Sequence, residues 1–148
     1  MLEKGGRAPR ASEAVAHDAA PPAEARVAGK GRVLFVEDDA EVRETVAAAL
    51  RAAGFEIYTA VTADEALARL DVGERYDAVF TDVVMPGVLS GVDLAVEVRR
   101  RFPRIGVVVA TGYSDRAVQI EGVRALPKPY DRQQAVEALN AAMAGGPS

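Results

Sequence analysis

Val79-Phe80-Thr81-Asp82-Val83-Val84-Met85-Pro86-Gly87 sends an apolar run straight into a carboxylate, and a Pro-Gly turn follows at once. That order predicts a buried strand with Asp82 at its carboxyl end, where open α/β sheets place their ligand sites. An earlier run, Arg32-Val33-Leu34-Phe35-Val36, ends the same way, in Glu37-Asp38-Asp39. If the two strands are neighbours, at least three carboxylates meet at one edge of the sheet. Such a cluster repels itself unless protons or a cation relieve it. The residues therefore read as a metal site around one reactive aspartate.

Working outward, strand and helix patterns alternate. Val33 to Val36 is continuously apolar, as in a strand buried on both faces. A helix is predicted from Ala40 to Ala53, with Val42, Val46, Ala49, Leu50 and Ala53 on one stripe and Gly54 just past its end. Phe55 to Thr59 alternates like a strand. Thr62-Ala63-Asp64-Glu65 is a capping-box pattern opening a helix through Leu70. A third strand is expected over Asp77 to Thr81. Ser90-Gly91-Val92-Asp93 caps a helix that Pro103 stops. Ile105 to Ala110 is β-branched enough for a central strand. A short helix near Asp115 to Glu121, a strand over Val123 to Leu126 and a last helix opened by Asp131-Arg132-Gln133-Gln134 complete five strand-helix units. Right-handed crossovers then demand a parallel sheet with helices on both faces. The expected fold is α/β, a flavodoxin-like (βα)5 doubly wound sheet of order 2-1-3-4-5, whose crevice opens between the two strands that end in acids.

Bulk properties bound the function. The 148 residues suit one domain and a tail: an Ala/Pro-rich arm over 1–30, expected to be disordered, a folded part over 31–144, and a short tail over 145–148. A net charge of −4 gives no nucleic-acid or acidic-membrane footprint, so neither is expected as a partner. The absence of cysteine excludes thiolate chemistry, and the only histidine, His17, falls in the arm, where a solvated role is expected. No apolar run reaches the length of a spanning helix, and a cytoplasmic location is expected.

Each site residue has an ordinary structural role to set beside a chemical one. An acid between strand and helix often caps the helix, and Asp39 is expected to do so. Capping does not explain consecutive acids facing a third. A hard ion such as Mg²⁺ takes few carboxylates, keeps waters and shares phosphate oxygens, which matches Glu37, Asp38 and Asp82. Thr111 ends the fourth strand, where a turn hydroxyl is commonplace. Lys128 ends the fifth, between Pro127 and Pro129, which stiffen its backbone. A phosphoryl group on Asp82 would need such an inventory: a metal and an ammonium for its charge and a hydroxyl for one oxygen. The run Arg99-Arg100-Arg101 at a helix end reads as a solvated complement to the dipole.

The motifs Val36-Glu37-Asp38-Asp39, Thr81 through Gly87, Ala110-Thr111-Gly112 and Leu126-Pro127-Lys128-Pro129, in this order and spacing, resemble the receiver domain of two-component response regulators across Arg32 to Met143. The resemblance extends to receivers of single-domain regulators and of hybrid histidine kinases. It implies that Asp82 accepts a phosphoryl group from a kinase phosphohistidine. It also implies that Asp38 ligates Mg²⁺ directly, Glu37 through water, and the Val84 carbonyl completes the set. Thr111 and Lys128 would bind the phosphoryl group, and the Lys128-Pro129 bond would be cis. The expected partners are a histidine kinase or phosphotransfer protein and a downstream protein target. A homodimer stays open, through a face that includes Arg116, Arg124 and Asp131. Such a domain catalyses only its own phosphorylation and dephosphorylation and is not otherwise an enzyme.

Three positions depart from the family pattern. Ala125 stands where an aromatic switch residue is frequent, leaving either Tyr113 or Tyr130 as a substitute or a different coupling. The loop Gly87-Val88-Leu89-Ser90-Gly91 is one residue longer than the commonest form. Val84 and Tyr113 flank the site where polar side chains often orient water, which implies slow loss of the phosphoryl group. Only five residues follow Met143, so output by protein contact is expected. The competing readings are a receiver-like dimerisation module that is never phosphorylated, a flavin-type cofactor protein and a magnesium-dependent phosphohydrolase. Glu37-Asp38-Asp39 would repel a cofactor phosphate, and Val83-Val84 leave no second acid beside Asp82 for the hydrolase.

Overall fold

Hydrogen-bonded parallel ladders order the sheet β2-β1-β3-β4-β5, as the alternation requires. The computed structural model describes residues 30–112 and 120–145. Its elements are β1 (Arg32–Val36), α1 (Ala40–Ala52), β2 (Glu56–Ala60), α2 (Ala63–Asp71), β3 (Ala78–Asp82), α3 (Gly91–Arg101), β4 (Gly106–Thr111), β5 (Val123–Pro127) and α4 (Arg132–Gly145). The disorder expected of the arm, the helix expected near 115–121, and the roles suggested for His17, Tyr113 and Arg116 fall on residues outside this description, apart from the last position or two of the arm and helix.

Period-two alternation sorts the strands' side chains into two cores. Leu34, Val36, Val79, Val107 and Val109 face α2 and α3, meeting Ala66, Leu70, Leu94 and Val98. Val33, Phe35, Ile57, Phe80, Val108 and Leu126 face α1 and α4, meeting Ala47, Leu50, Ala138 and Leu139. Phe35 stacks on Phe80 at 5.1 Å, and Phe80 on Tyr130 at 5.7 Å. On α1 the buried stripe runs through Ala47 and Leu50, whereas Val42 in the first turn is 41% exposed.

Helix starts follow the expected caps. Asp39 Oδ1 accepts from the Glu41 and Val42 N–H groups, and Ser90 with Asp93 closes a reciprocal capping box. Thr62 Oγ1 accepts from Glu65 N–H, and Asp131 exchanges bonds with Gln134. The arginine run is not simply solvated. Arg99 Nη1 donates to the carbonyls of Pro103 (3.0 Å) and Ile105 (3.3 Å), and Arg101 pairs with Asp71 of α2. Carbonyls just past a helix end lack intrahelical partners, so a nearby guanidinium is drawn to them. Only Arg100, 67% exposed, fits the solvated expectation.

Gly91 fixes how α3 meets the sheet. Its N–H donates to Val83 O at 2.8 Å, and a β-carbon there would lie 1.6 Å from Asp82 O. Any side chain must push α3 off the end of β3. Gly91→Ala is expected to destabilise the fold by about 3 kcal/mol, the upper range for overpacking. Denaturant unfolding beside wild type measures it.

Candidate functional site

The ladders bring the acid-bearing strand ends side by side. Val36 pairs with Thr81 across β1 and β3, so Glu37 and Asp38 emerge next to Asp82. Asp82 is opposite Ala110 on β4, and Thr111 is opposite Pro127 on β5. Two bonds carry this pattern past the strands: Val83 N–H to Ala110 O (3.2 Å) and Lys128 N–H to Thr111 O (2.7 Å). Lys128 is thereby delivered to the same edge. Its Nζ donates to Asp82 Oδ2 at 2.9 Å, across 46 residues of sequence. Asp82 is 18% exposed and Lys128 40%, so the pair faces water without being swamped by it. The Lys128-Pro129 peptide is cis, as the resemblance implies.

Glu37 is the buried acid of the group. Its Oε2 accepts from Asp39 N–H at 3.1 Å. Burial lifts its carboxyl above the ordinary carboxylate range; the Asp39 N–H draws it back, and the charges of Asp82 and Asp38 push it up again. The three carboxylates share one edge, but they do not close into a cage. Among the described residues, no three Asp, Glu, His or Cys side chains are grouped tightly enough to enclose a metal by themselves. Glu37 accepts from the Asp39 N–H at the α1 cap, and Asp82 accepts from Lys128.

Two contributors were not singled out from the sequence. Arg43, on the second turn of α1, donates through Nη1 to Glu37 O at 3.0 Å and holds the acidic turn from behind. Asp64, in the first turn of α2, accepts from Val88 N–H (3.3 Å) and Leu89 N–H (3.0 Å) in the loop that follows Asp82. Neither role has a local signature, because each joins a helix to a loop settled only by the fold. On the outer side of that loop Val84 is 70% exposed and Val88 87%.

A family model described as the response regulator receiver domain matches residues 33–140. The chain belongs to that family. It is 30% identical over 119 residues to the DNA-binding transcriptional regulator NtrC of Salmonella typhimurium, covering 77% of this chain and 25% of that one. It is 32% identical over 118 residues to the transcriptional regulatory protein FixJ of Azorhizobium caulinodans, covering 75% and 54%. The sensor kinase CckA of Brucella abortus is 33% identical over 115 residues, covering 73% and 12%. Each of these relatives is considerably longer than the chain, which spans about half of FixJ and a quarter of NtrC. In structure, a receiver domain protein from Clostridium thermocellum matches with a TM-score of 0.67 at 26% identity, over 77% of this chain and 94% of that one. Full-length FixJ from B. japonicum matches at 0.68 and 25%, over 80% and 60%. No helix among the described residues of the receiver is long and apolar enough to cross a membrane.

Tyr130 offers a reading of the site from its inner side. Burial pushes its phenol up to about 12, and the charges of Glu37 and Asp82 add to that. Tyr76 is raised as well, first by burial and then by its bond to Glu74. With the folded value above the unfolded one, Tyr130 holds its proton where the unfolded chain has lost it. Its contribution is complete below about pH 10 and is lost as the pH climbs toward 12. Tyr130→Phe is expected to flatten part of that alkaline decline, by up to about 2 kcal/mol. Chemical denaturation at a series of alkaline pH values reads it.

Proposed function

We propose that the receiver accepts a phosphoryl group on Asp82 from the phosphohistidine of a histidine kinase or phosphotransfer protein. The contact between Lys128 Nζ and Asp82 Oδ2 is the observation that carries this reading. A carboxylate oxygen of Asp82 attacks phosphorus as the N–P bond of the donor breaks. The N–P electron pair returns to the imidazole ring, and an acyl phosphate is left on the protein. Phosphoryl transfer of this kind is carried mainly by positioning and by charge stabilisation. The Lys128 ammonium, already at Asp82, would follow the new phosphoryl oxygens, and the Thr111 hydroxyl would donate to one of them.

The donor set also fits magnesium. Two carboxylates and a carbonyl suit a small hard ion that keeps several waters, and the charges of Asp82 and Asp38, which add to the effect of burial on Glu37, are what a cation would relieve. Asp38, Asp82 and the Val84 carbonyl would hold it, with Glu37 acting through water. When bound, it would neutralise charge on the transferring phosphoryl group. Output would pass by contact to a downstream protein target. A dimerisation module without phosphorylation has less support, since it would have no use for a lysine drawn onto an aspartate at a strand end.

Incubation with acetyl phosphate and Mg²⁺ is expected to add one phosphoryl mass to the intact protein. Asp82→Asn should abolish the addition, and Lys128→Met should slow it strongly. A wild-type protein left unmodified would remove the reading. Val84 stands exposed beside Asp82, where a polar side chain could orient attacking water. Val84→Asn is therefore expected to speed loss of the phosphoryl group several-fold, followed by the decay of the phosphorylated mass after donor removal.

A further inference from the structure

The loop from Val83 to Ser90 carries the Val84 carbonyl and lies along the phosphoryl-accepting edge. Its near end is fixed to the sheet by the close approach of Gly91 to Asp82 and the Gly91 N–H bond to Val83 O. Its middle has a second attachment. Asp64 receives Leu89 N–H on Oδ1 and Val88 N–H on Oδ2, so both carboxylate oxygens are engaged by successive backbone amides. Those amides lie 24 and 25 residues along the chain from it. Asp64 itself is in the first turn of α2, where the helix dipole favours a fixed negative charge. Thr62 caps that helix through the Glu65 N–H, so Asp64 is not needed as the cap and its oxygens are free to serve the loop.

The glycine before the clamped amides belongs to the same device. Gly87 has φ +104, in the left-handed region that L side chains rarely adopt, and a β-carbon on it would lie 3.4 Å from Asp64 Oδ2. The turn brings the Val88 and Leu89 amides round to face one carboxylate. Val84 and Val88 are exposed, while Met85 is buried and Leu89 packs against the core, so side-chain packing holds the loop on either side of the Gly87-Val88 turn but not at the turn itself. At that turn, charge-assisted hydrogen bonds to a helix that is itself packed through Ala63, Ala66 and Leu70 add a polar anchor.

We propose that Asp64 is a positioning residue for the phosphoryl-acceptor site, clamping the loop that carries the Val84 carbonyl at the height where that oxygen serves a divalent cation. This inference rests on the function proposed above and deepens it: α2, which contributes no ligand of its own, sets the affinity of the site through one carboxylate. Outer-sphere partners that orient ligands commonly govern metal affinity in this way.

Three variants separate clamping from plain charge. Asp64→Ala removes both acceptors and the charge. Asp64→Asn removes the charge and keeps one acceptor. Gly87→Ala keeps the charge and strains the turn. Mg²⁺ binding by titration calorimetry, with no phosphodonor present, is expected to weaken about tenfold in Asp64→Ala and in Gly87→Ala, and less in Asp64→Asn. Amide exchange of Val88 and Leu89 should accelerate in the same order, while far-UV circular dichroism stays that of wild type. Equal weakening in Asp64→Ala and Asp64→Asn, with none in Gly87→Ala, would assign the effect to charge and overturn the clamp. Faster exchange with unchanged Mg²⁺ affinity would overturn it too, leaving Asp64 a purely structural contact. Failure of the wild type itself to bind Mg²⁺ or take a phosphoryl group would instead sink the function on which the clamp rests.

Discussion

The parallel ladders that join β1 to β3, β3 to β4 and β4 to β5 set the positions of the charged groups at the receiver's acidic edge. Parallel strands end together, so residues that follow them in sequence emerge together in space. Asp82 closes one strand opposite Ala110, and the Lys128 amide bonds to Thr111 just beyond the last pair of the next ladder. A one-residue slip would send Asp82 to the other face and leave the ammonium with nothing to reach. The two apolar layers hold the register: Val79 and Val107 commit one face, Phe80 and Val108 the other.

With register fixed, electrostatics decides the rest. Three acids at one edge would spread apart if nothing restrained them. Arg43 grips the backbone of the acidic turn, the Asp39 N–H occupies Glu37, and Lys128 occupies Asp82. Glu37 and Asp82 are thus held by different partners, one in the turn before α1 and one at the end of β5, while Arg43 fixes the backbone between Glu37 and Asp38. The same region is backed by the ring of Tyr130, stacked on Phe80 and lying within the field of Glu37 and Asp82.

Much of this was legible in the amino-acid order because local chemistry and global fold agree. The strand runs, the Ser90-Asp93 capping box, the acids after two strands and the lysine between prolines each state their place without reference to distant residues. Strand limits were misplaced by about one residue where apolar runs continue past or stop short of pairing: β3 begins at Ala78 and includes Asp82, and β4 begins at Gly106 and includes Thr111. What could not be read depends on approach between elements. Asp64 looks like part of a capping box, and only the folded loop shows that its oxygens are spent on Val88 and Leu89. Arg99 looks like one of three surface cations, yet its guanidinium lies against Gly122, where a β-carbon would come within 2.4 Å of Nε.

An open sheet also has borders, and the one formed by β5 is short and poor in large apolar groups. Arg124, Ala125 and Pro127 are exposed there, and only Leu126 is buried. A bare strand border invites a neighbouring chain to zip onto it, and a charge together with an imino acid lacking an N–H discourages that. The small residue at 125, where an aromatic is frequent in the family, therefore has a second effect. It adds no large apolar side chain that would reward a strand docking along that border, so the charge of Arg124 and the missing N–H of Pro127 set the border's character.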